Sequence, residues 1–415
     1  MNNILNRRDW MKALLVASQS KRLFGAPTLG ARSLDDTLRD SMIRRKIPAV
    51  VAMLSTPDKT IYAGAFGKRD ATSGISVKPD SIFVIASMTK AITSTAAMQL
   101  VEQGKVKLHV PVSEYLPQLA KLNIVSFDSA GKQIMTPATK PVTLHHLLTH
   151  TSGFAYDTWN ETMMKYTTLN TAKNPTPPPD GGPVPVPPLV FEPGTKWQYS
   201  TSVDWAGRVV EAVSGLNLEQ YFQRNILKPL GMKDTSYILT ADKLDRFVSN
   251  YRRQPDSSLK EDPRTLPPVP KAFIGGGGLR STVSDYTLFM QMILNRGKGT
   301  SAQILKPETV AMMTTNQIGD ISAGKLKTFD PTRSVDVDFH PGNVDGFTYG
   351  FLINKTGYVG GRSAGSLAWA GIDNTFYWID PKRSLCAVVM MQLLPFGDMQ
   401  AVGLLSDFEK AVYAA

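Results

Sequence analysis

Apolar residues run in short blocks at both ends of the chain, whereas the middle carries apolar positions at helical period. Residues 48–69 predict a β-hairpin. In it Ala49-Val50-Val51-Ala52-Met53-Leu54 and Thr60-Ile61-Tyr62-Ala63-Gly64-Ala65-Phe66 flank the turn-prone Thr56-Pro57-Asp58. A helix is expected from near Ala86: Ile92, Ala96 and Leu100 recur every four residues, Ala97 and Val101 widen the stripe, and Gly104 supplies the stop. Val142–Leu148, Val203–Val213 and Leu218–Leu227 fit the same period, as does a stretch around Ser284–Leu294. Near the C-terminus, Asn374–Ile379 and Ser384–Gln392 flank Asp380-Pro381-Lys382-Arg383, a second hairpin signal.

Strands at both ends around a helical centre predict one α/β lobe built from both termini, residues 1–80 and 275–415, with a mainly helical lobe, 81–274, inserted. Two segments punctuate this pattern. Pro175 to Pro188 holds eight prolines, so the loop 175–189 is expected to be extended and free of helix. It leads into Glu192-Pro193-Gly194-Thr195-Lys196-Trp197-Gln198-Tyr199, either as a wall beside a site or as a spacer. Gly275-Gly276-Gly277-Gly278 marks a boundary where the backbone needs conformational freedom.

Composition narrows the class. A chain of 415 residues with 42% hydrophobic and 20% charged residues reads as a globular protein of two lobes whose core needs no covalent staple. Cys386 is its only cysteine and lies in the apolar run Leu385–Met390, where an inert buried thiol is expected. The formal net charge is +11, but the basic residues are scattered and Arg44-Arg45-Lys46 is the longest cluster. A solvated surface is therefore expected rather than a nucleic-acid face. No apolar stretch approaches the roughly 20 residues of a membrane span, so no membrane insertion is expected. Arg7-Arg8-Asp9-Trp10-Met11-Lys12 is similar to a twin-arginine export signal. The apolar run Ala13–Ala17 that follows is short, however, and Lys21-Arg22 interrupts it. An ordinary amphipathic first helix and a cytoplasmic location are expected, with periplasmic export as the alternative.

The candidate chemistry starts at Phe83-Val84-Ile85-Ala86-Ser87-Met88-Thr89-Lys90. On a helix, residues three apart share a face, so Ser87 Oγ and Lys90 Nζ can meet. A serine hydroxyl needs an adjacent base to become a nucleophile, and a lysine serves as one when burial or neighbouring cations favour its neutral form. A helix start also aims backbone dipoles at a developing oxyanion. Alone, Ser-x-x-Lys is weak, because a helix-start serine with an exposed lysine produces it by chance. Tyr199-Ser200-Thr201 strengthens it. The tyrosine falls at a loop tip after the Glu192-Pro193-Gly194 turn, where it is either a proton carrier paired with Lys90 or a packing residue with a satisfied hydroxyl.

Five segments occur in the order shown by serine β-lactamase-like hydrolases. They are Ser87-Met88-Thr89-Lys90, Leu147-Leu148-Thr149-His150-Thr151-Ser152-Gly153, Tyr199-Ser200-Thr201, Gly277-Gly278-Leu279-Arg280-Ser281-Thr282 and Trp369-Ala370-Gly371. The chain resembles class C β-lactamases and penicillin-binding-like proteins, and most of all family VIII carboxylesterases, over roughly residues 40–395. The resemblance implies an α/β plus all-α fold, an antiparallel sheet flanked by helices with an inserted helical lobe. It implies Ser87 as the acylated nucleophile, Lys90 as its base and Tyr199 as the proton shuttle. The backbone N–H groups of Ser87 and Ile372 would form the oxyanion hole, and Trp369, Ala370, Gly371 and Thr201 would line the substrate site. No metal or cofactor is implied, and the partner would be a small-molecule ester.

Two departures shape the expectation. Trp369 stands where β-lactamases carry a lysine that grips the substrate carboxylate, and Thr201 stands where class C enzymes carry asparagine. Both favour a neutral ester with a small apolar group, and the aromatic ring is expected at the site mouth. A class C-like β-lactamase or D-amino-acid peptidase is the first alternative. A penicillin-binding-like recognition module that is acylated without turnover is the alternative of another class.

Other motifs carry less. Gly361-Arg362-Ser363-Ala364-Gly365 fits a nucleophile elbow, but that motif needs a histidine downstream and the last one is His340, so Ser363 is read as a turn serine. His146 and His150 lack the glutamate of a zinc-protease helix and are read as structural. Asp204 and Glu211 are read as cap and surface residues rather than a glycosidase carboxylate pair.

Overall fold

In a computed structural model the described residues are 31–170 and 185–414. The twin-arginine-like segment, the run Ala13–Ala17, Lys21-Arg22 and most of the proline-rich loop lie outside them. Within that loop Pro185, Val186, Pro187 and Pro188 have no regular structure.

The two sequence hairpins become the centre of one sheet. Its strands are β1 (Ala49–Ser55), β2 (Thr60–Gly67), β3 (Gly346–Phe347), β4 (Leu352–Ile353), β5 (Leu367–Gly371), β6 (Thr375–Asp380) and β7 (Leu385–Met390), in the spatial order β3-β4-β5-β6-β7-β1-β2. Every neighbouring pair is antiparallel. The N-terminal hairpin thus joins the C-terminal one through β1 and β7, with Val51 opposite Met390 and Ser55 opposite Cys386.

β1 and β6 are buried along their whole length, which requires cover on both faces. Adjacent side chains of β6 show what supplies it, because successive residues of a strand point to opposite faces. Trp378 meets Phe408 of the helix Met399–Ala414, and Phe408 also meets Tyr62 of β2. Tyr377 meets Tyr286 of the helix Val283–Leu294 on the other side. The helix Ala31–Arg44 packs beside Met399–Ala414, tied by Arg45 and Ser41 to Asp407. Cys386 is buried in this sandwich, which pushes its thiol pKa up and leaves it inert.

The middle of the chain carries the helices Thr89–Glu102, Leu144–Leu148, Glu161–Asn170 and Ser202–Ser214, together with two strand pairs that the sequence pattern does not predict, Asn123–Phe127 with Gln133–Pro137 and Asn250–Arg253 with Leu259–Asp262. The helix expected over Leu218–Leu227 forms, but its last five residues, Gln223–Leu227, wind as π-helix. Gly104 adopts φ +70 just past the Thr89–Glu102 helix, as a C-terminal stop requires. No helix among the described residues is long and apolar enough to cross a membrane.

Candidate active site

The segment before Ser87 is clamped on both edges. Phe83 and Val84 pair antiparallel with Ser281 and Arg280. Gln392 mimics a further strand: its Oε1 accepts the Val84 N–H at 3.0 Å and its Nε2 donates to the Val84 carbonyl at 3.0 Å. Ile85 N–H donates to Leu279 O at 3.1 Å. The chain then turns sharply, with Ala86 at φ +42, a left-handed conformation that costs a residue with a Cβ about 1 kcal/mol or more. Ser87 follows on a 3-10 turn, Ala86–Met88, that leads into the helix Thr89–Glu102. Tyr286 donates to the Met88 carbonyl at 3.0 Å and fixes the turn from below.

One helical turn on, Lys90 is 2% exposed and its Nζ has three oxygens within reach. Ser87 Oγ and the Tyr156 hydroxyl each lie at 3.2 Å, and the Gly276 carbonyl at 2.7 Å. As an ammonium Lys90 would donate one hydrogen to each; as a neutral amine it keeps a lone pair that can take the Ser87 proton. The ring of Tyr199 lies alongside, with Nζ 4.8 Å from its centroid, and the Tyr199 hydroxyl accepts from Trp369 Nε1 at 3.4 Å. Ser87 and Lys90, one turn apart, are thus brought beside the ring of Tyr199, which comes from a distant part of the chain and lines the same cavity as Ser87. Such a group can deliver a serine alkoxide to a carbonyl and return its proton to a leaving group.

Tyr156 escaped the sequence reading. It follows the Leu147–Gly153 motif by three residues, and nothing in its own neighbourhood marks it. Burial, reinforced by the nearby Asp204 and Tyr199, pushes its pKa well above the ordinary phenol value, so it stays a neutral hydrogen-bonding partner of Lys90. His150 packs its ring edge against Tyr199. Burial, with Lys90 adding to it, pulls the imidazole pKa well down and keeps it uncharged. His146 closes a capping box with Thr143 at the start of Leu144–Leu148, and that helix ends before His150. No group of three or more metal-ligating side chains occurs among the described residues.

The third wall comes from the end of β5. A Cβ on Gly371 would run into the Ile85 carbonyl and Thr375 Oγ1, so only glycine lets this strand reach the Ser87 turn. Ile372, the next residue, then lines a narrow cavity with Ser87, Ala370 and Gly371. Gly371→Ala is expected to separate the two backbone N–H groups assigned to the oxyanion and to lower kcat/KM for p-nitrophenyl butyrate about 10²-fold. Rates measured beside far-UV circular dichroism check this; a near-wild-type rate would show that the close approach is dispensable.

Trp159, Leu326, Phe339 and Phe396 complete the cavity with Tyr199 and Trp369. Trp369 is not at the mouth, as expected from sequence, but 4% exposed, stacked on Phe339 at 5.1 Å between ring centres. The aromatic cluster around it, Trp197, Tyr199, Phe339 and Phe347, draws the ring inward. Thr201 begins the helix Ser202–Ser214 with its buried Oγ1 unpartnered and is not among the cavity's lining residues. Ser363 lies in a turn before β5, its N–H donating to Asp380 Oδ2 at 2.9 Å; a strand rather than a helix comes next.

Asp204 also departs from expectation. It does not cap its helix and is half-buried: its Oδ1 accepts the Gly276 N–H at 2.6 Å. The reason is the close passage of the glycine run against its helix, where a Cβ on Gly276 would sit 2.6 Å from that same oxygen. Glu211 is half-buried too, bridging Arg208 and the N–H of Leu218.

A helix-borne serine and lysine beside an antiparallel sheet define a class of acyl-group-handling enzymes, and comparison with known proteins agrees. The Beta-lactamase family profile matches residues 34–406. The chain belongs to the beta-lactamase family and is a serine hydrolase or acyltransferase of it. It is similar to monacolin J acid methylbutanoyltransferase of Aspergillus terreus, 29% identical with 92% of this chain and 95% of the relative covered. It is also similar to lovastatin esterase of Penicillium rubens, 30% identical with 89% and 95% covered. Among solved structures, a LovD6 mutant of simvastatin synthase (LovD) from Aspergillus terreus superposes with TM-score 0.77 at 30% identity, covering 92% of this chain and 94% of that one.

Proposed function

We propose that the protein is a serine carboxylesterase, of the family VIII kind, that hydrolyses small short-acyl esters through an acyl-enzyme on Ser87. Ser87 Oγ attacks the ester carbonyl as Lys90 takes its proton, the backbone N–H groups of Ser87 and Ile372 hold the oxyanion, and Tyr199 gives its phenolic proton to the departing alkoxide and is reprotonated from the Lys90 ammonium. Water then attacks the acyl-enzyme and the same groups run in reverse. The observation that carries this reading is the 3.2 Å contact of buried Lys90 Nζ with Ser87 Oγ. The aromatic walls support a neutral, apolar acyl group, because Trp369 replaces the cation that a β-lactam carboxylate needs.

A second reading is transfer of the acyl group to an alcohol, which the name of the methylbutanoyltransferase relative favours; the lovastatin esterase relative favours water as acceptor. The purified protein separates the two. With p-nitrophenyl butyrate alone, steady multiple turnovers are expected, and with a cephalosporin a rate at least about 10²-fold lower. p-Nitrophenol release that requires added alcohol would assign the transferase instead. A single burst without turnover would assign a recognition module, and faster cephalosporin cleavage a β-lactamase.

A further inference from the structure

The glycine run Gly275–Gly278 threads between the helices Thr89–Glu102 and Ser202–Ser214. Thr93 Oγ1 of the first helix donates to the Gly275 carbonyl at 2.6 Å. On the second helix, a Cβ at Gly275 would overlap the Val203 carbonyl. The next residue, Gly276, is held from both sides: its N–H donates to Asp204 Oδ1 at 2.6 Å and its carbonyl accepts from Lys90 Nζ at 2.7 Å.

This places a carboxylate behind the lysine without touching it. Arg208, one turn along the same helix, pairs with Glu211 rather than with Asp204. Burial pushes the Asp204 carboxyl pKa up, against the pull of Lys90, the Gly276 N–H and Arg208. Partly burying a carboxylate costs stability unless hydrogen bonds compensate it, and the bond that does so here goes to the one residue whose carbonyl holds Nζ.

We infer that Asp204 is a positioning residue: by fixing Gly276 it sets the carbonyl that holds Lys90 Nζ against Ser87. The inference rests on the reading of Ser87 and Lys90 as the acylating pair. Lys90 has a flexible four-carbon stem, so an anchor set by the fold is needed to hold its nitrogen at one point. The geometry asks for an acceptor at the Oδ1 position rather than for a charge.

Three variants separate position from charge. Asp204→Asn keeps an acceptor in place without charge, Asp204→Glu keeps the charge but moves it by a methylene, and Asp204→Ala removes both. With p-nitrophenyl butyrate and a phosphonate active-site titrant, Asp204→Ala is expected to lose about 10²-fold in kcat per titrated site with KM within about threefold. Asp204→Asn should recover to within about tenfold of wild type and exceed Asp204→Glu. Wild-type kcat per titrated site in Asp204→Ala, or Asp204→Glu outperforming Asp204→Asn, would overturn the inference. If Asp204→Ala does not fold, the order of the other two decides. A Ser87→Ala control keeps the cases apart: if it retains activity, the reading of the nucleophile has failed, whatever the Asp204 series shows.

Discussion

Ser87→Ala is expected to remove p-nitrophenyl acetate and butyrate hydrolysis almost entirely, by at least about 10⁴-fold in kcat, on the scale seen when a serine nucleophile is deleted elsewhere. The fold should survive, because the turn carrying Ser87 is held through its backbone groups rather than by the Ser87 hydroxyl: Val84 by Gln392, Ile85 by Leu279 and Met88 by Tyr286. Circular dichroism and the thermal midpoint should therefore match wild type. The matched control is Ser363→Ala, which alters the other serine in a nucleophile-like motif. Ser363 touches Asp380 through its backbone N–H, so losing its hydroxyl should leave the rate within about twofold. The opposite pattern, with Ser363→Ala dead and Ser87→Ala active, would move the nucleophile across the sheet.

What could be read from sequence follows the range of the interactions involved. The hairpins were visible because each strand of β1–β2 and β6–β7 is a long apolar block beside a turn signal. Two-residue strands such as Gly346–Phe347 and Leu352–Ile353 carry no period of their own and are defined only by the partner they meet. Ser87 and Lys90 were visible because three residues on one helix set their distance. Tyr156 and Gly276 reach Lys90 across 66 and 186 residues, so no local pattern encodes the contact. Asp204 was misread for a related reason. An acid in the first turn of a helix looks like a cap until the glycine run is laid against it, and that close passage is a property of two segments 72 residues apart. Trp369 stands out in the sequence as a tryptophan where a lysine is expected, but its burial depends on Phe339 and Phe347, which come from the chain between the glycine run and β5.

Lys90→Met tests the proton acceptor without opening a hole. Lys90 is buried among Ser87, Tyr156, Tyr199 and Gly276, so truncation to alanine would combine loss of a base with loss of packing. Methionine nearly matches the volume of the stem, with sulfur in place of Cδ, and lacks the nitrogen. A kcat lower by about 10³- to 10⁴-fold is expected, the range that a positioned general base contributes. KM should change little, because Nζ points to Ser87 and not into the aromatic cavity. The Gly276 carbonyl and the Tyr156 hydroxyl lose a partner in this variant, which is expected to lower stability by about 1–3 kcal/mol. A melting curve records that separately from the rate. The chemical step can be isolated further, since Lys90→Ala leaves room where the amine was. Added propylamine should then restore part of the rate, more so as pH rises and the free base accumulates. Rescue in Lys90→Ala but not in Lys90→Met would tie the loss to the missing nitrogen. A Lys90→Met enzyme within tenfold of wild type would instead pass the task to one of the two phenols, Tyr199 or Tyr156, that flank the same hydroxyl–amine pair.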